Sequence, residues 1–479
     1  MHIDEGVMKD RPGRPSGAVS RHVVTELIDR LGRGQIVVDP DVVAAHARDQ
    51  AVWLEGGHAV ALVRARSRQD VQEVLRSCNT HRLPVVPRGA GSGLSGGANA
   101  IDGGVILDMS AMNRIIDIDP VERLAVVEPG TLNGDLDAAA RLDGLWYPPD
   151  PASRSFSTMG GNVATNAGGL CCVKYGVTRD WVSSLDVVMA DGRAITTRAD
   201  TRKDVAGYDL TGLLVGSEGT LGVVTRVTVR LRPPPGAAAT LVAIFPSLAS
   251  AGQAVTAIMD KATPSLLEII DGPTMRAIDD WRRMDLDRDA GAMLLVQSDE
   301  PSLESRTEEL ASVEEACRLA GAGWTHATSD PDEADLLLEA RRMAHPAIER
   351  LGTTLLDDVA VPLGQLGGFL LDVEQVAQRH DISIFTFGHA GDGSLHPTLL
   401  IDPHDDEQRL RAIQGFDDLL AAAVRRGGTV TGEHGVGLLK REQAAAQLGP
   451  DRVAVHQAIK KALDPNAILN PGKLIEAAP

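Results

Sequence analysis

The stretch Pro87–Ala98, PRGAGSGLSGGA, limits the fold of this chain more than any other. Gly91, Gly93 and Gly96 spell G-x-G-x-x-G, which in a dinucleotide-binding Rossmann unit joins a strand to the helix it opens. The strand is present, as LPVVP. The helix is not: GANAIDGG follows, too rich in glycine and asparagine to start one, and GGVILDMS then reads as a second strand. Asp117 lies about 20 residues on, where a Rossmann unit places its ribose-binding carboxylate, but without the helix this match is coincidental. An NAD site is therefore disfavoured. What remains is a strand–loop–strand unit in which Gly89, Gly91 and Gly93 let backbone N–H groups converge on a diphosphate, with Arg88 adding charge. Taken alone, the same loop serves equally as a plain connection between strands.

The 479 residues are too many for one small core and suggest two or three domains. With 43% apolar residues a packed interior is expected, and the formal net charge of −19 disfavours nucleic-acid binding. Four cysteines, Cys78, Cys171, Cys172 and Cys317, show no C-x-x-C spacing, so free thiols are expected rather than a zinc or iron–sulfur site. The first residues lack an apolar signal core, and no run of about 18 apolar residues occurs. A cytoplasmic location is the expectation, with peripheral docking at the inner membrane left open.

Along the chain, residues 1–20 read as a loose polar arm. Residues 66–86 read as a helix, with Val71, Val74 and Leu75 on one face, and a buried strand. A hairpin turns at Asp119-Pro120, a helix runs from about Leu132 to Leu142, and a second hairpin closes at Asp191-Gly192. Residues 148–169, PPDPASRSFSTMGGNVATNAGG, are glycine-rich and almost without periodicity. Pro233–Pro235 mark a boundary, after which strands such as TLVAIF and GAMLLVQS alternate with long helices over 300–321 and 407–426.

Small residues and amides in the second glycine stretch suit a large planar group lying against backbone. PRGAGSGLSGGA, PDPASRSFSTMGGNVATNAGG and GSEGTLGVVTRV, in that order, resemble the FAD-binding half of the vanillyl-alcohol-oxidase/p-cresol-methylhydroxylase superfamily. Within it the chain resembles the FAD-linked D-2-hydroxyacid dehydrogenases, from about residue 40 onward. The resemblance implies an α+β architecture. A two-part FAD-binding domain would span residues 21–235, a substrate (cap) domain with an antiparallel sheet 236–440, and a segment returning to the FAD domain 441–479. It implies that Pro87, Arg88, Gly89, Ala90, Gly91, Ser92, Gly93, Leu94 and Ser95 hold the FAD pyrophosphate. Pro151, Thr158, Met159, Gly161, Asn162, Thr165, Asn166, Gly168 and Gly169 would line the flavin. Glu218, Gly222, Val223 and Asn470 would complete the cofactor site. The first loop has no histidine, so non-covalent FAD is expected.

Two further segments hold a disproportionate share of the 13 histidines: FGHAGDGSLHPTLL, with His389 and His396, and GTVTGEHGVGLLKRE, with Glu433 and His434. The turn at Gly388, Gly391 and Gly393 can bring the first two together. Two imidazoles and a carboxylate make a facial site for Zn²⁺, Mn²⁺ or Fe²⁺ that would polarise a substrate hydroxyl. Without further context these are more readily polar turn residues. The resemblance assigns His389, His396 and Glu433 to a divalent metal, Zn²⁺ or Mn²⁺ by preference, and His434 to the base. Alternation along an extended segment would point Glu433 and His434 in different directions.

The resemblance also implies a carboxylate-binding arginine on a helix, where Arg341 aligns best; taken alone, either Arg341 or Arg342 reads as readily as a solvated helix charge. His345 and the region of Leu356 stand where the 2-hydroxyglutarate enzymes carry a threonine and a lysine, which favours a monocarboxylate. The reading is an FAD-dependent enzyme that oxidises glycolate or D-lactate to the 2-oxoacid, with hydride transfer to flavin N5. Its rivals are a D-2-hydroxyglutarate dehydrogenase, a flavin-dependent alkyl transferase on the same scaffold and a non-catalytic flavin-binding subunit. Expected partners are the small acid and an electron acceptor (quinone, cytochrome, electron-transfer flavoprotein or O₂). A homodimer is compatible, and nucleic acid is not.

Overall fold

A computed structural model describes residues 17–475. It contains three sheets. The first has four strands, Ile36–Val37 (β1), Ala61–Arg64 (β2), Val85–Arg88 (β3) and Val105–Asp108 (β4), in the order β1-β2-β4-β3. β2, β4 and β3 are parallel. Central β4, VILD, is buried throughout, as a parallel strand covered on both faces must be. The covering comes partly from helices Gly17–Leu31 and Arg68–His81, whose Val23, Leu27, Val71, Val74 and Leu75 join one core.

The second sheet is antiparallel: Ile115–Asp119 (β5), Leu124–Val127 (β6), Val182–Val188 (β7), Ala194–Thr196 (β8) and Val223–Arg230 (β9), ordered β5-β6-β9-β7-β8. Both expected hairpins belong to it. The third sheet has eight antiparallel strands: Ala239–Phe245 (β10), Leu266–Asp271 (β11), Ala292–Ser298 (β12), Trp324–Thr328 (β13), Thr353–Leu356 (β14), Val359–Ala360 (β15), Ile384–His389 (β16) and Ser394–Ile401 (β17). Its order is β13-β10-β12-β11-β16-β17-β14, with β15 also on β17. Pro233–Pro235 lie between the last strand of the second sheet and the first of the third. The architecture is α+β, two smaller sheets followed by one large antiparallel sheet.

The chain then returns. After a long helix, Arg441–Leu463, broken at Gly449-Pro450, Val85 N–H donates to Ile468 O and Asn470 N–H to Val85 O, both at 2.8 Å. This bridge lays the segment along the edge strand β3.

Two readings of the sequence need correction. The loose arm, 1–20, falls mostly outside the described residues, but residues 17–20 are the first turn of a helix buried through Val23 and Leu27. The stretch 148–169 contains a helix, Met159–Thr165, capped by Thr158 Oγ1 accepting from Gly161 N–H at 3.3 Å. Two glycines in seven residues hid it, since glycine weakens helix propensity.

Candidate active site

A cavity of about 1030 Å³ opens between the loops of the first two sheets and the face of the third. Residues 87–95 line it where β3 ends. Gly91 has φ +72°, a conformation that side-chain-bearing residues avoid, and a Cβ there would strike the Arg88 guanidinium. That guanidinium is buried and donates to Arg48 O at 2.9 Å; burial lowers its pKa against the opposing pull of Asp49 and Asp108. A Cβ on Gly89 would sit 2.2 Å from Thr158 Oγ1, so the two glycine stretches meet there with no room to spare. Pro151, Thr158, Gly161, Asn162, Thr165, Gly168, Glu218, Gly222 and Val223 also reach the cavity.

Four expected cofactor residues do not. Met159 is fully buried on the inner face of its helix with Val163, where i, i+4 spacing puts both in the core. Asn166 is the left-handed C-cap of that helix, and its Oδ1 accepts from Arg179 N–H at 2.8 Å. Gly169 backs onto Asp150. Asn470 braces the first loop from behind, donating to Gly97 O and Glu218 O, each at 2.8 Å. Lys473 joins it, donating to Gly97 O at 3.0 Å and to Asn99 O.

Glu218 ties this wall to the opposite one. Its carboxylate accepts from the N–H groups of Val436 and Gly437, both at 2.8 Å. Burial pushes its pKa up to about 7 despite those bonds, and burial lowers that of Lys473 to about 7 against Asp49 and Glu218.

The opposite wall is built from side chains. β16 ends at His389, and β17 carries His396 across a tight turn in which Gly393 has φ +81°. Phe387 faces His396 and His389 faces Ser394, so the two histidines are diagonal neighbours, their ring centroids 5.2 Å apart. Glu433 Oε1 lies 3.1 Å from His389 Nε2 and 3.3 Å from His396 Nε2. Metal–ligand bonds of ~2.0–2.1 Å in a tetrahedral site give ligand–ligand edges of about 3.4 Å. Both distances from Glu433 thus already stand near the edge length of such a site, and the three donor atoms all lie within 4.8 Å of one another.

Glu268, on buried β11, escaped the sequence reading. One oxygen meets His389 Nδ1 at 2.8 Å and the other meets Arg341 Nε at 2.5 Å. A carboxylate behind a ligating imidazole fixes its tautomer and orientation. Burial opposes charge on His389, but Glu268 and Glu433 outweigh it and hold its pKa well above the usual value. Burial likewise works against ionised Glu433, yet His389 and His396 hold it well below the carboxylate range. The site concentrates negative charge that requires a cation, whether a proton or a metal. Glu268 is an acid between the leucines and isoleucines of the buried strand LLEIID, and that anomaly was the available signal.

Asp358 was also missed. Its Oδ2 accepts from Thr431 Oγ1 at 2.8 Å and from the N–H groups of Gly432, Glu433 and His434, each at 2.9 Å. Burial raises its pKa, but His434, Lys440 and His396 overcome this and hold it below the usual range. Buried Lys440 anchors the same loop, donating to Asp358 O, Val430 O and Asp357 Oδ1. The segment is bent rather than extended, so Glu433 and His434 do not diverge by alternation. His434 Nε2 lies 3.9 Å from Glu433 Oε1, and its ring stacks on that of His396 at 4.9 Å. Burial drops the His434 pKa to about 4, leaving a neutral imidazole on the cavity wall.

Arg341 is buried, with its guanidinium 4.9 Å above the Phe387 ring. Glu268 takes Nε, and among the described residues its terminal nitrogens have no hydrogen-bond partner. Arg342 is exposed at the rim. His345 and Leu356 line the same end, and burial lowers the His345 pKa. All four cysteines are free thiols. No described helix is long and apolar enough to cross a membrane.

The family model of an FAD binding domain matches residues 59–198, and that of the C-terminal domain of FAD linked oxidases matches residues 234–474. The chain is 42% identical to glycolate oxidase subunit GlcD of Bacillus subtilis over 416 residues, 86% of this chain and 88% of that one. It is 33% identical to D-lactate dehydrogenase of Anaerostipes hadrus over 465 residues, 94% and 98% of the two chains. Among solved structures, substrate-bound p-cresol methylhydroxylase matches with a TM-score of 0.82 at 20% identity, covering 96% of this chain and 98% of that one. The chain thus carries an FAD binding domain and belongs to the FAD-linked oxidases, among the relatives of glycolate oxidase subunit GlcD and D-lactate dehydrogenase.

Proposed function

We propose that this enzyme oxidises a small D-2-hydroxyacid, glycolate or D-lactate before others, to the 2-oxoacid, with non-covalently bound FAD as its electron acceptor. One observation carries the reading: His389, His396, Glu433, His434 and Arg341 converge on the cavity wall that faces the glycine loops. The names of the relatives agree with it. The division of labour between residues 21–235 and 236–440, with 441–479 as a brace, belongs to the same proposal.

The residues fit both implied groups. For FAD, the loop is bare backbone at Gly89 and Gly91, where an added Cβ would collide with Thr158 Oγ1 and the Arg88 guanidinium, and it lines the cavity. For a divalent metal, the donors are two imidazoles and a carboxylate, with Glu268 orienting one imidazole. When bound, FAD supplies a two-electron acceptor, and the metal supplies a Lewis acid at the substrate hydroxyl. Arg341 holds the substrate carboxylate through its terminal nitrogens, in a two-pronged geometry that lysine lacks. Phe387 packs beneath that guanidinium and limits its movement. His434, neutral in its buried setting, takes the hydroxyl proton on a ring nitrogen, a contribution of about 10²–10⁴ in rate. His345 and Leu356 offer no cation for a second carboxylate, which supports a monocarboxylate over 2-hydroxyglutarate.

The test is anaerobic mixing of the yellow holoprotein with glycolate, D-lactate, L-lactate and D-2-hydroxyglutarate. Bleaching of the visible flavin band by glycolate or D-lactate is expected. No bleaching by any of the four would overturn the reading, and preferential bleaching by D-2-hydroxyglutarate would overturn its monocarboxylate part.

A further inference from the structure

We propose that His22, Glu26 and His81 form a second divalent-metal site, on the outside of the cofactor half. It would take a transition ion such as Zn²⁺ or Co²⁺. His22 and Glu26 are one turn apart on helix Gly17–Leu31, and His81 is the last residue of helix Arg68–His81. One ligand atom from each lies within 4.8 Å of the others. His81 Nε2 stands 3.3 Å from Glu26 Oε2, close to the ~3.4 Å edge of a tetrahedral zinc site. The two imidazole rings meet edge to face at 5.3 Å.

The carboxylate is already oriented. Ser77 Oγ donates to Glu26 Oε2 at 3.0 Å, and Arg30 pairs with Oε1 at 2.6 Å. One oxygen is thus held by the arginine while the other is presented towards His81. Supports of this kind raise metal affinity by about 10–100-fold. His22 is exposed and its two partners are half-buried, so the fourth position of the ion faces solvent. The donor set matches that of the inner cluster, yet the two share no residue.

The ligands come from two helices that cover one core. Val23 and Leu27 from the first helix, and Val71, Val74 and Leu75 from the second, pack together over the parallel sheet. The three donors come together only when those helices are docked. An ion here therefore binds the folded form and stabilises it by linkage.

The test uses untagged holoprotein, freed of metal by a chelator and titrated with Co²⁺ or Zn²⁺. A second equivalent is expected beyond the inner one. His22→Ala, Glu26→Gln or His81→Ala should each weaken that equivalent by about tenfold or more, while FAD content and turnover stay unchanged. His389→Ala should remove the other. A wild type and a His22→Ala variant that bind the same number of equivalents with the same affinity overturn the proposal. Should the variants misfold, histidine modification of the wild type by diethyl pyrocarbonate decides: Zn²⁺ should shield His22 and His81, and unchanged labelling of both overturns the site.

Discussion

The two walls of the cavity solve opposite problems. The glycine-loop wall is made mostly of backbone: its residues matter for what they lack, and a single added methyl at Gly89 meets Thr158 Oγ1. The opposite wall is made of charged side chains, in which Glu268, Glu433, His389 and Arg341 are held by one another. The first wall should be sensitive to gaining atoms and the second to losing them. A large ring system bound over many shallow contacts needs close backbone approach, whereas activating one hydroxyl needs a few charges held in place.

The largest effect should come from Glu268. Glu268→Ala strands buried Arg341 and removes the support of His389, and breaking a buried pair costs about 3–5 kcal/mol. Turnover should collapse while the protein still purifies yellow. Loss of FAD together with activity would show that the walls are not separable. Next comes Gly89→Ala. Overpacking of about 1–3 kcal/mol predicts an FAD affinity lowered by up to roughly 100-fold. Metal content by elemental analysis should be unchanged, and a parallel loss of metal would again break the distinction.

Gly168→Ala probes the seam. A Cβ there would lie 2.5 Å from Glu433 Oε2, so a change on the flavin side should displace a side chain on the other. We expect metal affinity to fall by about 10-fold, in the range seen when supports of a metal ligand are disturbed, with FAD retained. Unaltered metal affinity would mean that the carboxylate moves aside freely.

The smallest effect concerns pH. Glu218 has its native pKa raised to about 7 from the usual 4.5, so its contribution to stability is present at low pH and lost as pH rises through 7. Lys473 has its pKa lowered from 10.5 to about 7, so the unfolded chain holds its proton longer and this contribution grows between pH 7 and 10.5. Glu218→Gln should flatten the fall in Tm on the acidic side, and Lys473→Met the rise on the alkaline side. Melting curves of the holoprotein that show the same pH slopes in variant and wild type would remove both groups from the account.

These differences explain what could be read from the sequence. Glycine records a backbone requirement in its own identity, so residues 87–95 announce a close approach wherever the chain later folds. Paired histidines flanking a glycine turn are local as well, since β16 and β17 are neighbours in sequence. Glu268 and Asp358 were not legible because their partners lie far away: Glu268 meets His389 across 121 residues and Asp358 meets His434 across 76. An acid in an apolar strand signals a partner without saying which. Met159 and Asn166 lie off the cavity for a third reason. A motif names a stretch, but the helix that formed there turned one side chain into the core and made the other a cap.

The return of the chain to β3 has a consequence for how the protein comes to hold its cofactor. Asn470 grips Gly97 O across 373 residues, and Lys473 reaches the same carbonyl. Until that late segment has been synthesised, the first glycine loop lacks its brace and one edge of its sheet lacks a neighbour. A nascent polypeptide could collapse around the parallel sheet long before it could grip a flavin firmly. Firm cofactor capture is then expected only once this segment has been made, and a polypeptide cut short before it should emerge folded in parts and pale.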